Sequence, residues 1–352
     1  MKKFLALVLT AVMTLSLAAC GGKDSGASAP AASGSAAAPA PVETLKITYA
    51  NTVADANPQA ISANYLAERL NELSEGRIEM TVFNNNKLGA FSDCFAQMQL
   101  PNGTVQMGDV SSGSVTQFSE LLTPFALPFL FSSMEQSFEY FDNGETIKAI
   151  EEEFVKETNV RILGYFYNDA RALTNSKHTV DSPDDCAGLK LRVMTSDVYI
   201  KTFESLNAAP IGMQFSELFS ALQQGAVDGQ DNGMLLTYDS KFNEVQGYYT
   251  DLGHVQDVSI IFISEPVWQS LSAEDQALVQ QAADEAVEHN RNLCKEKLAT
   301  YQAELEKTME VTILTDEQRA AFKEACQPVY DWYKETYPQY DVDAIMADIA
   351  KY

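Results

Sequence analysis

The sequence predicts an α/β protein with two domains and one helix long enough to tie them together. Strand-like and helix-like segments alternate along the chain in two separate series. A length of 352 residues with 46% hydrophobic content allows two cores of ordinary size. Between Pro266 and Pro328 the chain contains neither Gly nor Pro, so one long helix can form there.

The first series lies in the N-terminal part of the chain. Asn57 as the cap and Pro58 in the first turn begin a helix, and Gly76 ends it. Alternating or continuous apolar runs predict the flanking strands. This order implies a parallel sheet with helices on its faces. The predicted strands are 45–51, 77–83 and 105–110, and the predicted helices are 57–76 and 93–100.

The second series repeats the alternation further along the chain. Ser216 is the expected cap of one of its helices, and Gly225 is the expected stop. The two series share no detectable sequence repeat, so each is expected to form its own domain. The second series begins after the segment 160–167. Its predicted strands are 189–194, 209–213 and 226–230, and its predicted helices are 196–206 and 216–224.

The long helix has a clear start signal. Ser272 is followed by two acidic residues, Glu274 and Asp275, which favour the positive end of a helix dipole. If the helix extends to Lys307, it is ~54 Å long at 1.5 Å per residue. Because this exceeds the width of one domain, the helix is expected to connect both.

The charge balance excludes one class of partner. Twenty-four Lys and Arg residues stand against 49 Asp and Glu residues, giving a net charge of -25. Such a surface repels phosphate backbones and anionic headgroups. We therefore expect no nucleic-acid partner.

The N-terminus has the plan of an exported lipoprotein. Lys2 and Lys3 precede an apolar run over 4–17 that is too short to span a membrane as a mature helix. The following "LAAC" resembles a bacterial lipobox, which predicts a signal peptide over 1–19 and lipidation of Cys20. Residues 20–41 are rich in Gly, Ser, Ala and Pro, which is typical of a flexible linker. The protein is therefore expected outside the cytoplasm, anchored to the membrane by lipid.

The remaining cysteines give no metal signal. They form no CxxC pair and are widely spaced, which argues against a zinc site. Export permits disulfides, but the sequence pairs none of them, and buried free thiols are the simpler interpretation. These residues are Cys94, Cys186, Cys294 and Cys326.

The stretch "DGQDNG" at 228–233 has oxygen-bearing side chains at the alternating positions typical of an EF-hand calcium loop. Two features argue against that interpretation. Gly225 ends the preceding helix before the loop begins, and Asp239 at the twelfth place is shorter than the Glu expected there. We therefore expect no metal and no cofactor.

Six segments carry a resemblance to a known family: "NNNKLGAFSD" (84–93), "FALPFLF" (125–131), "YNDARALTNSK" (167–177), "GLKLRVM" (188–194), "NAAPIGMQFSELFSALQQGAVDGQDN" (207–232) and "KFNEVQGYYTDLGH" (241–254). They resemble the extracytoplasmic solute-binding proteins of tripartite ATP-independent periplasmic (TRAP) transporters, the DctP type. The resemblance covers essentially all of the chain after the linker. The segment 207–232 is the most specific because it fixes many positions in one register.

The resemblance implies a periplasmic-binding-protein-like fold, with two α/β domains around a ligand cleft and a long helix that spans both. It implies that the domains close by a hinge over a small organic acid. The acid is then delivered to integral-membrane TRAP subunits, which use an ion gradient, usually sodium. We place the first domain at 42–168 plus about 258–297, and the second at 169–257 plus about 298–352.

The resemblance also implies the ligand-binding residues. Arg192 matches the arginine that pairs with the ligand carboxylate, and its planar fork suits two carboxylate oxygens. Asn232 matches a donor to the same carboxylate, and Phe215 matches a ring that packs on the ligand. Arg171 matches a second arginine that often reaches the ligand. Asn51 matches a residue that faces the cleft.

Each of these assignments has a structural alternative. Arg192 and Arg171 could form ion pairs with nearby acids, Phe215 could pack in a core, and Asn51 could be a turn residue.

Other positions bear on which acid is bound. Phe91 and Ser111 lie where the sialic acid-binding members place acidic groups, so the resemblance disfavours a sugar acid. Asp109 either faces the ligand, accepting from an amine or hydroxyl, or ends a strand in solvent. Asp169 stands where Gly is usual in the family.

The sequence gives no support for an enzyme. It contains three histidines, and neither a G-x-S-x-G nor an H-E-x-x-H motif is present. The binding protein of an ATP-driven transporter and a ligand-sensing lipoprotein are the alternative functions.

Overall fold

The computed structural model describes residues 44–352. The predicted signal peptide (1–19), Cys20 and the linker (20–41) lie outside the described residues. Within the part that is described, no helix combines the length and the apolarity needed to cross a membrane.

Strands, α-helices and short 3-10 helices follow one another along the described chain. The strands are β1 (Leu45–Asn51), β2 (Ile78–Phe83), β3 (Met107–Ser111), β4 (Val160–Ala170), β5 (Leu173–Asn175), β6 (Lys190–Val193), β7 (Ala209–Gly212), β8 (Gly229–Gln230), β9 (Tyr248–Asp251), β10 (Gln256–Ser264) and β11 (Glu310–Ile313). The helices are α1 (Pro58–Leu73), α2 (Phe91–Met98), α3 (Ser112–Val115), α4 (Met134–Asn143), α5 (Glu145–Thr158), α6 (Asp197–Ser205), α7 (Phe215–Gln223), α8 (Met234–Asp239), α9 (Glu265–Ser270), α10 (Ala273–Leu305), α11 (Asp316–Ala325), α12 (Gln327–Thr336) and α13 (Val342–Ile349). The 3-10 helices are Glu120–Ala126, Pro183–Cys186 and Phe242–Glu244.

The first domain is built on a five-stranded sheet in the order β2-β1-β3-β10-β4. β1 is parallel to both β2 and β3, as the alternation of strands and helices predicts. β10 is antiparallel to β3 and β4, so the sheet is mixed and not wholly parallel. The reason is that β10 enters this sheet from the second domain and runs against its neighbours.

The second domain is built on a six-stranded sheet in the order β11-β9-β5-β8-β6-β7. β6 is parallel to β7 and β8, whereas β5 is antiparallel to β8 and β9. The chain passes from the first sheet to the second between β4 and β5, and returns between β9 and β10. These two crossings place Arg171 and Asp257 next to the junction of the domains.

The predicted long helix is confirmed as α10, which spans the two domains. Ser272 is its N-cap, and its side chain accepts a hydrogen bond from the Asp275 N–H. Four residues in the spacing of one helix face are buried against the first sheet and α1: Val279, Ala282, Ala283 and Ala286.

α10 also joins the strand that crosses to the second domain. The Asn290 side chain accepts a hydrogen bond of 2.6 Å from the Tyr167 N–H of β4.

Two local predictions need correction. The seventh helix begins at Phe215 with Gln214 as its N-cap, and Ser216 is therefore inside the helix. The chain leaves the sheet at Met213, whose N–H still donates to Val193, and turns into the helix at once. In the predicted strand 226–230, only Gly229–Gln230 is a strand, because Gly225 and the following residues form a turn.

The domain boundaries given in the sequence analysis stay a prediction. The last helix, α13, places Ile345 and Ile349 in a hydrophobic cluster of the first domain together with Phe125 and Phe141. Thus the chain returns to the first domain at its C-terminal end. The cysteines within the described residues, Cys94, Cys186, Cys294 and Cys326, are buried and free.

Candidate functional site

A cavity of about 730 Å³, part of it open to solvent, is lined by residues of both domains. It contains six of the seven ligand-binding residues predicted from the sequence. Among the described residues that line it, Arg171 and Arg192 are the only charged side chains. The six predicted residues are Phe91, Ser111, Arg171, Arg192, Phe215 and Asn232.

Arg192 lies on β6 and is almost completely buried, with 2% of its surface exposed. Its Nε and Nη2 both donate to the Met213 carbonyl oxygen, at 2.9 and 2.7 Å. Its Nη1 is buried and has no hydrogen-bond partner among the described residues. The outer end of the guanidinium fork, between Nη1 and Nη2, is therefore free to bind two oxygens of a ligand.

Arg192 does not form the structural ion pair that was the alternative interpretation of this residue. No carboxylate of residues 44–352 lies within ion-pair distance of its guanidinium. Burial, together with the like charge of Arg171, lowers the pKa of Arg192 to about 10 against the opposing pull of Asp231. The group remains a cation at neutral pH. A buried cation without an anionic partner is costly, and an anionic ligand would relieve that cost.

Arg171 has very different surroundings. It lies between β4 and β5, is 1% exposed, and binds two carboxylates. Its Nε and Nη2 donate to the two oxygens of Asp231 at 3.0 and 2.9 Å. Its Nη1 donates to Asp257 at 2.7 Å. Arg171 therefore forms the structural ion pairs that were its alternative interpretation. Its side chain also lines the cavity.

Asn232 is held in one orientation by its neighbours. Its Oδ1 accepts a hydrogen bond of 3.1 Å from Nη2 of Arg171. Its backbone N–H and its Nδ2 both donate to Oε1 of Gln230, at 2.5 and 2.6 Å. Because Arg171 can only donate, Oδ1 must face it, and the second N–H of Nδ2 remains available in the cavity.

Asp231 has a low pKa although it is buried. Burial would raise the pKa of Asp231, but Arg171 and His254 hold it well below its usual range. His254 is fully buried, and its Nε2 lies 3.5 Å from Asp231. The network therefore connects two carboxylates, through the Arg171 guanidinium, to Asn232 in the cavity wall.

Three other predicted residues form part of the wall. The Phe215 ring lies over the Arg192 guanidinium, with its centroid 6.0 Å from Cζ. Phe91 begins α2 and also packs in the first domain's core, with Phe95 and Phe262 as aromatic neighbours. The Ser111 hydroxyl lies 2.9 and 2.8 Å from the two oxygens of Asp257.

Asn51 is the one predicted residue that does not line this cavity. It is buried, its Oδ1 accepts from the Val53 N–H at 2.9 Å, and its Nδ2 donates to Asp109 at 3.0 Å. It therefore holds the loop after β1, from which Val53 does reach the cavity.

Both expectations for Asp109 are wrong, since it faces neither the cavity nor solvent. Its carboxylate accepts hydrogen bonds from Tyr49 at 2.8 Å, from Ser259 at 2.7 Å and from Asn51. Burial raises the pKa of Asp109 to about 6, while the hydrogen bonds from Ser259 and Tyr49 act in the opposite direction. Its role is to join β1, β3 and β10 inside the first domain.

Asp169, the residue that replaces the usual glycine, ends the first crossing strand. Its backbone has a φ of 140°, which explains why Gly is favoured at this position. Its carboxylate accepts from the N–H groups of Leu235 at 2.8 Å and of Ala170 at 2.7 Å. Burial raises the pKa of Asp169 to about 7. It thus ties the end of β4 to the start of α8.

The oxygens of "DGQDNG" do not converge. Asp228 accepts from the Lys190 N–H and pairs with Lys177, Gln230 accepts from Asn232, and Asp231 binds Arg171. Each oxygen has its own protein donor. Within residues 44–352, no group of three or more Asp, Glu, His or Cys side chains is placed to hold a metal ion.

Sequence reasoning missed several residues of the site. Asp257 is contacted by Arg171, Ser111, Ser112 and Asn168. Its only signal in the sequence is a single acid at the start of an otherwise apolar strand. Gln59 lines the cavity from the first turn of α1 and donates to Oδ1 of Asn168.

Comparison with known proteins agrees with this architecture. The profile of the DctP family, described as bacterial extracellular solute-binding protein family 7, matches residues 49–336. A solute-binding protein of Roseobacter denitrificans is 36% identical over 276 residues, covering 78% of this chain and 83% of that protein. The C4-dicarboxylate-binding periplasmic protein DctP of Shewanella loihica is 31% identical, covering 86% of this chain and 89% of that protein.

A solved structure gives the same result for the fold. The sugar acid binding protein DctPAm of Advenella mimigardefordensis, in complex with galactonate, superposes with a TM-score of 0.83 and 27% identity. The match covers 88% of this chain and 99% of that one. The chain belongs to the DctP family of bacterial extracellular solute-binding proteins, the extracytoplasmic binding proteins of TRAP transporters.

Proposed function

We propose that this protein captures a small organic acid outside the cytoplasm and delivers it to a TRAP-type transporter. The observation that carries the proposal is the free end of the Arg192 fork in a cavity lined by both domains. A carboxylate there would supply the missing counter-charge and accept two charge-assisted hydrogen bonds. Each such bond contributes about 1.5 to 3 kcal/mol.

The other predicted residues would complete the site around the carboxylate. Nδ2 of Asn232 would donate its second N–H to a carboxylate oxygen, and the Phe215 ring would cover the guanidinium and the ligand. Arg171 would act mainly by fixing the orientation of Asn232. Phe91 and Ser111 would form the wall contributed by the first domain, and Asn51 would support the loop that carries Val53.

Hinge closure is the mechanism that this arrangement supports. Arg192, Phe215 and Asn232 belong to the second domain, whereas Phe91 and Ser111 belong to the first. A ligand that touches both sets stabilises the closed form only to the extent that it binds that form better. Closure would also exclude water and strengthen the ion pair with Arg192.

The family is one of binding proteins and not of enzymes. Because this chain belongs to that family, we favour a role as the binding protein of a TRAP-type transporter. The alternatives, the binding protein of an ATP-driven transporter and a ligand-sensing lipoprotein, are less well supported.

We further propose that Cys20 carries lipid and anchors the protein to the membrane. Cys20→Ser should abolish incorporation of labelled fatty acid and release the protein from the membrane fraction. Retention of label in that variant would exclude Cys20 as the attachment site.

A ligand screen tests the central proposal. The full chain is heated with monocarboxylates, dicarboxylates, keto acids, aromatic acids and amino acids, and each acid is paired with its primary amide. A tight ligand should raise the melting temperature by mass action, whereas its uncharged amide should not. Calorimetry then gives the affinity. A panel in which no acid acts, or in which amides act equally well, would contradict the proposal.

A further inference from the structure

The cavity is also lined by side-chain amides whose nitrogens donate to other groups of the protein. Asn86 donates through Nδ2 to the Thr52 carbonyl at 3.2 Å, and Gln117 donates through Nε2 to the Ser114 carbonyl at 2.8 Å. A carbonyl can only accept, so in both residues the nitrogen is turned to the backbone. The amide oxygens of Asn86 and Gln117 take no part in these two hydrogen bonds and can accept others.

Gln59 is oriented by a longer chain of contacts. Asp257 forms an ion pair with Arg171, and its Oδ2 accepts from Nδ2 of Asn168 at 2.8 Å. Because the carboxylate only accepts, Asn168 must turn its Oδ1 away from it, toward Gln59. Gln59 therefore donates through Nε2, and its Oε1 is left free. All members of this chain are at most 5% exposed, so their orientation is enforced by burial.

Three amide oxygens are thus available, and no described N–H or O–H group donates to any of them: Oε1 of Gln59, Oδ1 of Asn86 and Oε1 of Gln117. An amide oxygen stabilises a hydroxyl or N–H donor of a ligand and repels a carboxylate. The resemblance disfavoured a sugar acid because Phe91 and Ser111 carry no acid. These oxygens supply acceptors from other positions.

The charges of the site lead to the same conclusion. The formal charges of Arg171, Arg192, Asp231 and Asp257 sum to zero. Every guanidinium nitrogen of Arg171 already donates to a side-chain oxygen, whereas Nη1 of Arg192 has no hydrogen-bond partner among the described residues. A first carboxylate on the ligand is met by Arg192. Among the described residues that line the cavity, a second carboxylate would find only Arg171, whose charge is already balanced by Asp231 and Asp257. Burial of an unpaired charge is strongly unfavourable.

We propose that the cavity selects a hydroxylated monocarboxylate over a dicarboxylate, and that Gln59, oriented by Asn168 and Asp257, is a specificity-determining residue. This inference rests on the proposed carboxylate-binding function. Its chemical content is one carboxylate at Arg192 and one or more hydroxyl donors directed at the amide oxygens.

The test uses pairs of acids that differ at one end only. An aldonate and the aldarate of the same carbon skeleton differ in a terminal CH₂OH group that is replaced by a carboxylate. Calorimetry on the full chain is carried out with such pairs of four, five and six carbons. The best aldonate should bind at least about tenfold more tightly than its aldarate, because sites built around a ligand hydroxyl reject analogues lacking it.

Two variants test the role of Gln59. Gln59→Met removes the acceptor and should reduce the aldonate-to-aldarate ratio of affinities by about tenfold, the value of one hydrogen bond. Gln59→Lys keeps a donor for Asn168 and adds a cation, so it should reverse the preference toward the aldarate. Gln281→Met, on the exposed face of α10, is the matched control and should keep the wild-type ratio.

The outcomes separate the two proposals. If no acid of the ligand screen binds, the proposed function is overturned, and this inference with it. If another acid of that screen binds but neither acid of any pair does, the inference alone is overturned. Binding of both acids with equal affinity, or tighter binding of the aldarate, would overturn the inference alone. If Gln59→Lys fails to fold, the ratio measured with Gln59→Met decides. An unchanged ratio would show that Gln59 does not set the specificity.

Discussion

Arg171 binds Asp231, which follows β8 of the second sheet, and Asp257, which lies on β10 of the first sheet, with the same guanidinium group. All three side chains are almost completely buried, and the arginine lies on one of the segments that cross between the domains. The backbone of Arg171 also pairs with the other crossing segment, at Val255 and Gly253. One residue thus fixes the two crossings to each other.

The first prediction concerns this ion pair. Arg171→Met should lower the free energy of unfolding by about 3 to 5 kcal/mol, because it leaves two buried carboxylates without a counter-charge. Urea denaturation of the full chain measures the change. Arg69→Met, at a partly exposed ion pair with Glu285, should lower it far less, because solvent screens that pair. Equal losses in both variants would contradict the special position of Arg171.

The second prediction is that replacing Arg192 lowers ligand affinity without lowering the stability of the ligand-free protein. Arg192→Gln should weaken ligand binding by about 2 to 5 kcal/mol, because the ligand carboxylate would be buried without a cation. Without ligand, the free energy of unfolding should not fall, since a buried charge lacking an ion pair has been removed. Calorimetry and urea denaturation measure the two effects. A loss of stability as large as that of Arg171→Met would make Arg192 a structural residue.

The contrast between the two arginines shows what the sequence alone can provide. Both were identified by the segments around them, and the strand that holds Arg192 follows from a local apolar pattern. Their different partners depend on Asp231 and Asp257, which come from separate segments of the chain. Only the pairing of β4 with β10 brings Asp257 to Arg171 and Asn168. No local pattern encodes that register.

Asp109 illustrates the same limit. Its position at the end of a strand was predicted, but the sequence could not show that Tyr49 and Ser259 from two other strands would enclose it. The long helix, by contrast, follows from its cap and from a run without Gly or Pro. Features that depend on neighbours in the chain were predictable, and those that depend on neighbouring strands were not.

The third prediction concerns pH. The pKa of Asp169 is raised to about 7, mainly by burial, whereas an unfolded Asp titrates near 4. At pH values between these two pKa values, Asp169 keeps its proton in the folded chain and loses it in the unfolded chain. Stability should therefore fall as pH rises from about 4 to 7, by up to about 1.4 kcal/mol per pH unit from this group.

Urea denaturation between pH 4 and 7 checks this slope. Asp169→Asn retains an acceptor for the Leu235 N–H but has no proton to lose, so its stability should fall less steeply with rising pH. Asp142→Asn, at a half-exposed ion pair with Arg291, should keep the wild-type slope. If Asp169→Asn kept the wild-type slope of stability against pH, the Asp169 carboxylate would not titrate between pH 4 and 7 in the wild-type protein.

The last prediction concerns the glycine that follows Asn232. A Cβ at Gly233 would lie 2.6 Å from the Ala170 carbonyl oxygen and equally close to the Asp169 carboxylate. Because one of these atoms belongs to the backbone, the segment must move, and with it Asn232. Gly233→Ala should cost about 1 to 3 kcal/mol of stability, as overpacking does, and should also weaken ligand binding. Gly247→Ala meets no atom within 4 Å and should leave both unchanged or raise stability slightly. If Gly233→Ala lowered stability but kept full affinity, the position of Asn232 would not matter for binding.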